Sequence, residues 1–184
     1  LFITRLFRFE IIFVKIKMNA KLNINVESDI SKYFNDKCIF ITGVTGFIGK
    51  LLLEKLLRCC DCQRIYVLMR AKRGLSAQER LDKMLNNWPF TFHHLNQSLE
   101  LMSKVVTING DITADKLDLD KNDRNTLIEN VNVVIHLAAA TAFTQAFGEA
   151  FKQNVLSTQN VLNLAYEMTK LECFVHVSTA YSNC

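Results

Sequence analysis

Cys38-Ile39-Phe40-Ile41-Thr42-Gly43-Val44-Thr45-Gly46-Phe47-Ile48-Gly49 joins a short apolar run to three evenly spaced glycines. Residues 38–41 read as a buried strand. The glycines at 43, 46 and 49 read as a tight turn, and the apolar, helix-compatible Lys50-Leu51-Leu52-Leu53-Glu54-Lys55-Leu56-Leu57 follows at once. Strand, glycine turn and helix start in that order form a cradle for a pyrophosphate. Glycine lets backbone approach the ligand, and the first turn of a helix presents unpaired N–H groups at its positive end. The spacing is G-x-x-G-x-x-G. The competing reading, a glycine-rich turn with no ligand, lacks a reason for the flanking strand and helix.

Working outward, a helix is predicted over residues 48–58 and a second strand over residues 64–69. That strand runs into Arg70-Ala71-Lys72-Arg73-Gly74, and no carboxylate lies between Gln63 and Gln78. Cofactor sites of this type place an acid ~20 residues past the glycines for a ribose 2′-hydroxyl, or an arginine for a 2′-phosphate. Arg70 stands at that distance, with Lys72 and Arg73 beside it, so the spacing favours NADP. A solvated basic turn is the plainer alternative.

Ser76 and Glu79 form a capping-box pattern that opens a helix to about residue 88. Trp88-Pro89-Phe90-Thr91-Phe92-His93-His94 reads as an aromatic-rich surface insertion. A third strand is expected over residues 105–109, with Asp111 just past it, placed either to accept from an adenine amino group or to cap a turn. A short polar helix is expected over residues 121–130. A fourth strand, residues 131–137, is continuously apolar, as a parallel sheet covered on both faces requires. His136 within it reads as a packed core residue. The small residues Ala138, Ala139 and Ala140 then leave room for a ligand at the strand's C-terminal end. One long helix is expected over residues 144–169, with Phe147, Phe151, Val155, Leu162, Ala165 and Met168 on its apolar stripe. A fifth strand covers residues 173–177 and runs into Ser178-Thr179-Ala180-Tyr181. Strands and helices alternate throughout, which predicts an α/β doubly wound parallel sheet with helices on both faces.

The apolar fraction of 49% suffices to bury a core in a chain of 184 residues. Most of the net charge of +4 comes from Arg5, Arg8, Lys15 and Lys17, opposed there by Glu10 alone, so no nucleic-acid surface is indicated. Six cysteines show no disulfide spacing and read as reduced thiols in a cytosol-facing protein. Cys59-Cys60-Asp61-Cys62 finds no partner set for a four-ligand metal site, so no metal is expected. Residues 1–17, ahead of Met18, are expected to be a non-native or read-through leader. The alternative is an amphipathic membrane-surface anchor. Residues 18–37 read as a lead-in whose Tyr33 and Phe34 pack near the first strand. Residues 38–184 are expected to be an NADP-binding domain, cut short at its C-terminus.

Several of these stretches together resemble one family. The glycine turn is similar to the fingerprint of the extended short-chain dehydrogenases/reductases. The run from Val67 to Gly74, Gly110-Asp111-Ile112, Val134-Ile135-His136-Leu137-Ala138-Ala139, Asn154-Val155-Leu156-Ser157-Thr158 and the run from Phe174 to Cys184 resemble more narrowly the alcohol-forming fatty acyl-CoA reductases. The resemblance covers the chain from about residue 30 to the end. It implies a Rossmann-like fold and the reduction of a long-chain fatty acyl-CoA to a primary alcohol, through an aldehyde, with NADPH. It assigns cofactor contacts to Gly43, Thr45, Gly46, Phe47, Ile48, Gly49, Arg70, Lys72, Asp111, Ile112, Ala138, Ala139 and Asn154. It gives Thr179, with Ser178 beside it, the hydroxyl role at the substrate carbonyl. It is also compatible with attachment of a longer protein to a peroxisomal or endoplasmic reticulum membrane through C-terminal segments.

In such enzymes a Tyr-x-x-x-Lys pair follows the hydroxyl strand, and this chain stops first, so it is expected not to turn over alone. Tyr166 and Lys170 match that spacing but precede the strand, at the far end of the long helix, and are declined. A thioester reductase, a sterol dehydrogenase of the same superfamily and a non-catalytic NADP-binding sensor remain the alternatives.

Overall fold

The computed structural model describes residues 13–14, 29–142 and 144–178. In chain order the strands are β1 (Phe13–Val14), β2 (Cys38–Thr42), β3 (Arg64–Met69), β4 (Val105–Asn109), β5 (Val133–His136) and β6 (Cys173–His176). The α-helices are α1 (Asp29–Phe34), α2 (Phe47–Cys59), α3 (Ala77–Leu85), α4 (Leu99–Ser103), α5 (Lys121–Asn130), α6 (Phe147–Phe151) and α7 (Ser157–Glu167). They form one sheet of order β1-β6-β5-β2-β3-β4. β2 to β6 pair in parallel, and β1 joins the edge antiparallel, Phe13 opposite Val175 and Val14 opposite Phe174. The doubly wound parallel sheet is as the sequence predicts.

Side chains on a strand alternate between faces, and the core divides accordingly. Ile39, Ile41, Ile65, Val67, Met69, Val133 and Ile135 pack with Leu53, Leu57 and Leu81 of α2 and α3. Phe40, Tyr66, Leu68, Val134 and Phe174 pack with Leu127, Val161, Leu164 and Ala165 of α5 and α7. Both faces are covered, so every residue of β2 is buried. The chain leaves β2 for β3 on one side and returns to β5 on the other. That reversal opens a crevice beyond the C-terminal ends of β2 and β5, where ligands of open α/β sheets bind.

Capping follows sequence chemistry. Ser76 accepts from the Glu79 N–H, and the Glu79 carboxylate accepts from the Ser76 N–H at 2.8 Å, so the capping box opens α3 as expected. Asp120 Oδ1 caps α5 by accepting from the Asp123 N–H at 2.8 Å.

Several expectations need correction. The lead-in contains α1, whose Tyr33 and Phe34 pack against the core as anticipated. α3 stops at Leu85, short of Trp88. The insertion that follows is only partly superficial: Phe92, His93 and His94 are exposed, but Phe90 has no exposed surface and sits in the core. The fourth and fifth strands are shorter than expected and both end at histidines, His136 and His176. The single long helix is instead α6, a π-helical turn over Lys152–Leu156, and α7. A π turn holds one more residue than an α turn, so it shifts the phase of the stripe. Ala165 and Met168 stay buried, but Phe147, Phe151 and Val155 face outward at 63%, 42% and 49% exposure. Among the described residues no helix is long and apolar enough to cross a membrane.

Candidate cofactor site

The glycine turn lies at the crevice. Gly43 has φ +76°, and a Cβ there would lie 2.6 Å from the Ala138 nitrogen. A Cβ at Gly49 would lie 2.4 Å from the Gly43 carbonyl oxygen. The first clash is across the crevice and the second within the turn, so neither position accepts a side chain. The Gly46 N–H closes the turn on the Gly43 carbonyl at 3.0 Å, and α2 begins one residue later. The first N–H groups of α2 have no partner within the helix. Phe47 stacks its ring on Trp88 with centroids 6.2 Å apart, so the insertion reaches back to the turn.

Beside the turn lies an open cleft of about 590 Å³, reached by Thr45 and by Lys50, Lys72, Arg73, Arg80 and Lys83. Among the described residues no carboxylate lines it. Lys72 is there as expected from sequence. Arg80, Lys83 and Lys50 were missed, although α3 begins where the capping box places it. Arg80, Lys83, Met84 and Asn87 follow with helical spacing, and that register was the available signal. The Arg80 guanidinium donates to the Arg70 carbonyl oxygen, tying α3 to the end of β3.

Arg70 itself is half exposed and donates through Nη1 to Asp111 Oδ2 at 2.8 Å. Asp111 Oδ1 accepts from the N–H and the hydroxyl of Thr113, at 2.9 and 2.8 Å. Burial pushes the Asp111 carboxyl up, but the hydrogen bonds from Thr113 and Arg70 outweigh it and hold it below the ordinary range. Both of its oxygens therefore hold the turn and Arg70. Asn160 of α7 fixes the same loop by donating to the carbonyls of Ile112 and Ala114 at 3.1 and 3.0 Å.

On the other side of the crevice, Ala138, Ala139 and Ala140 form a floor of small residues. Asn154, buried in the π-helical turn, accepts from the Ala140 N–H at 2.7 Å and donates to the Ala140 carbonyl at 3.2 Å. The Asn154 side chain thus shapes the floor. His136 is fully buried beneath it, and burial, with His176 beside it, pulls its pKa down to about 3. The rings of His136 and His176 stack 5.1 Å apart.

Ser178 lies two residues past β6, and its Oγ is buried without a hydrogen-bond partner. Among the described residues the other unpartnered buried side-chain atoms are His176 Nδ1 and Gln145 Oε1. All three belong to the C-terminal edge of the sheet, at β6 or in the β5–α6 connection. Buried polar atoms are ordinarily satisfied, so among the described residues this edge holds spare hydrogen-bonding capacity. Thr179 and Tyr181 lie outside the described residues. Tyr166 is 66% exposed, and the Lys170 carbonyl accepts from Asn132, which precedes β5, at 3.4 Å. That pair therefore occupies the opposite edge of the sheet, as its rejection required.

A model of an NAD-binding family, described as male sterility protein, matches residues 41–184, from the end of β2 through the strand-six segment. The chain belongs to the male sterility protein family. It is 42% identical over 156 residues to fatty acyl-CoA reductase 1 of Xenopus laevis, and 38% identical over 156 residues to fatty acyl-CoA reductase 1 of Homo sapiens. Each match covers 84% of this chain, which spans about 30% of the length of these curated relatives. Among solved structures, the reductase domain of a nonribosomal peptide synthetase from Mycobacterium tuberculosis superposes with a TM-score of 0.64 at 29% identity, over 84% of this chain and 38% of that one. The terminal reductase domain of the myxalamid pathway superposes with a TM-score of 0.60 at 27% identity, over 74% of this chain and 33% of that one. Membership of this NAD-binding family accounts for the glycine turn.

Proposed function

We propose that this chain forms the NADPH-binding part of a reductase that converts a long-chain fatty acyl-CoA to a primary alcohol through an aldehyde. The observation that carries the reading is the carboxylate-free cleft of five cations beside the glycine turn, on the same sheet edge as the unpartnered Ser178 hydroxyl. The cradle fits the cofactor: Gly43 and Gly49 let backbone pack closely where α2 begins, so its first N–H groups could meet a pyrophosphate, and an excess of positive charge lies beside the turn for a 2′-phosphate of charge about −2.

When bound, NADPH supplies the hydride. The residues of this chain bind and orient. Gly43, Gly46 and Gly49, with the N–H groups of Phe47 and Ile48, hold the pyrophosphate. Lys72, Arg73 and Arg80 hold the 2′-phosphate, with Arg70 at the neighbouring strand end. Asp111 and Ile112 flank the adenine side. Ala138 and Ala139 line the floor that Asn154 supports. Ser178 and Thr179 donate to the oxygen of the substrate carbonyl and so stabilise charge developing there. The names of the relatives support an acyl-CoA substrate. A cytosol-facing position, with attachment of the longer protein to a peroxisomal or endoplasmic reticulum membrane, completes the proposal.

The test is a fluorescence titration of this chain with NADPH and NADH, followed by NADPH oxidation with a long-chain acyl-CoA by a polypeptide extended to the relatives' length. Tighter NADPH binding and acyl-CoA-dependent oxidation are expected. Equal affinity for the two cofactors would overturn the cofactor assignment. Turnover only of thioesters on a carrier protein would favour the thioester reductase reading, which the likeness to synthetase reductase domains supports.

A further inference from the structure

Both ring nitrogens of His136 meet hydroxyls. Nδ1 lies 2.6 Å from Thr42 Oγ1, and Nε2 lies 3.1 Å from Thr158 Oγ1. A neutral imidazole has one donor and one acceptor, and the neighbours' other bonds decide which is which. Thr158 gives its single hydroxyl hydrogen to the Asn154 carbonyl, one turn back, at 2.7 Å. Its oxygen can only accept from His136, so Nε2 carries the hydrogen. Nδ1 is then the acceptor, and Thr42 donates to it. The Thr42 oxygen accepts in turn from the Ala138 N–H at 3.4 Å.

The direction of every bond is thereby set. Ala138 donates to Thr42, Thr42 to His136, His136 to Thr158, and Thr158 to the Asn154 carbonyl. Asn154 then closes on both backbone groups of Ala140. The network begins and ends on residues 138 and 140. That segment lies outside the strands and carries only alanine side chains, which offer little packing to anchor it.

We propose that His136, held as its Nε2–H tautomer, is a positioning residue that sets the alanine floor against the glycine turn through this network. The proposal rests on the reading of that floor as one wall of the NADPH site. Among the described residues the ring faces one titratable group, His176 of β6. Thr42 of β2 and Thr158 of α7 are uncharged. A second proton on Nδ1 would displace the Thr42 hydroxyl hydrogen, in a residue with no exposed surface, and would place a charge against His176. The network therefore needs the neutral ring.

Two-bond ¹H–¹⁵N correlation spectra of the labelled chain report the tautomer directly. The Nε2–H pattern at pH 7, unchanged at pH 5, is expected. An Nδ1–H pattern or an imidazolium would overturn the proposal. NADPH titrations then test positioning. His136→Phe and Thr158→Val should each weaken binding roughly 3- to 30-fold, the scale of one or two lost hydrogen bonds. Thr158→Ser, which keeps the hydroxyl, should bind like the parent chain. Wild-type affinity in Thr158→Val, or equal loss in Thr158→Ser, would sink the idea. The Thr158 pair decides if His136→Phe does not fold. Arg70→Ala separates the two readings. If it leaves NADPH binding intact, Arg70 is not a phosphate contact, and if the parent chain binds no NADPH, the cofactor assignment fails. If it weakens binding and the His136 and Thr158 variants do not, positioning alone fails.

Discussion

Arg70 Nη1 donates to Asp111 Oδ2 across 2.8 Å and so joins the C-terminal ends of β3 and β4. Both side chains reach solvent, Arg70 at 53% and Asp111 at 27% exposure, so the pair adds little to stability, ~0–1 kcal/mol. Its consequence is placement: Arg70 stands beside the cation cleft with its carbonyl held by Arg80. Arg70→Ala is expected to leave the melting temperature nearly unchanged. It should remove charged hydrogen bonds of ~1.5–3 kcal/mol to a 2′-phosphate, a loss of roughly 10- to 150-fold for NADPH. NADH affinity should hardly move. Equal losses for the two cofactors would take Arg70 out of the phosphate site.

Arg80→Ala should act in the same direction, since Arg80 lines the cation cleft and donates to the Arg70 carbonyl oxygen. An open, solvent-facing cluster of charges is screened by salt. The NADPH-to-NADH affinity ratio should therefore shrink as ionic strength rises, and should shrink less in Arg80→Ala. A ratio independent of salt in the parent chain would mean that the cations do not read the phosphate.

The insertion between α3 and α4 gives a paired stability test. Phe90 has no exposed surface, and Phe92 is 70% exposed. Phe90→Ala should cost ~3–5 kcal/mol by urea denaturation, through lost burial and the cavity left behind. Phe92→Ala should stay within ~0.5 kcal/mol. Similar small values for both would return the whole insertion to the surface.

Acid should destabilise the fold before most carboxylates titrate. His136 has a native pKa of about 3 against an ordinary 6.5, and burial lowers His176 in the same direction. Between those values the unfolded chain binds protons that the native chain does not, so stability rises with pH across the window. It is complete above about pH 7 and is lost as pH falls through 6.5 toward 3. The slope from His136 approaches ~1.4 kcal/mol per pH unit. Urea midpoints at pH 7.5 and 5 measure it. A flat profile over that interval contradicts a neutral, buried His136.

Residues 1–17 can be tested by deletion. They include Phe13–Val14, which extends the sheet beside β6 by two residue pairs. So short an edge strand should contribute under ~1 kcal/mol, the scale of a typical damaging substitution, and nucleotide binding should persist. A larger loss would make the segment an integral part of the fold.

Local chemistry is legible in the amino-acid sequence alone. Apolar runs, glycine spacing and capping residues act within a few positions of themselves, so β3, β4 and α5 have the predicted bounds and the capping box opens α3. The same locality brought out the glycine turn and the cations after β3 as candidates for a nucleotide site, and the fold sets Thr45, Lys72 and Arg73 along one cleft. Three features depended on parts of the chain that meet only in the folded sheet. Phe90 is buried because α2 and the sheet are there to receive it. The helix after the alanine floor takes a π turn that buries Asn154, whose side chain bonds Ala140, fourteen residues earlier. His136 is a junction because folding brings Thr42, ninety-four residues before it, and Thr158, twenty-two after it, to its two nitrogens. Hydrogen-bond direction is set by every partner at once, and those partners become neighbours only when β2, β5 and α7 are packed together.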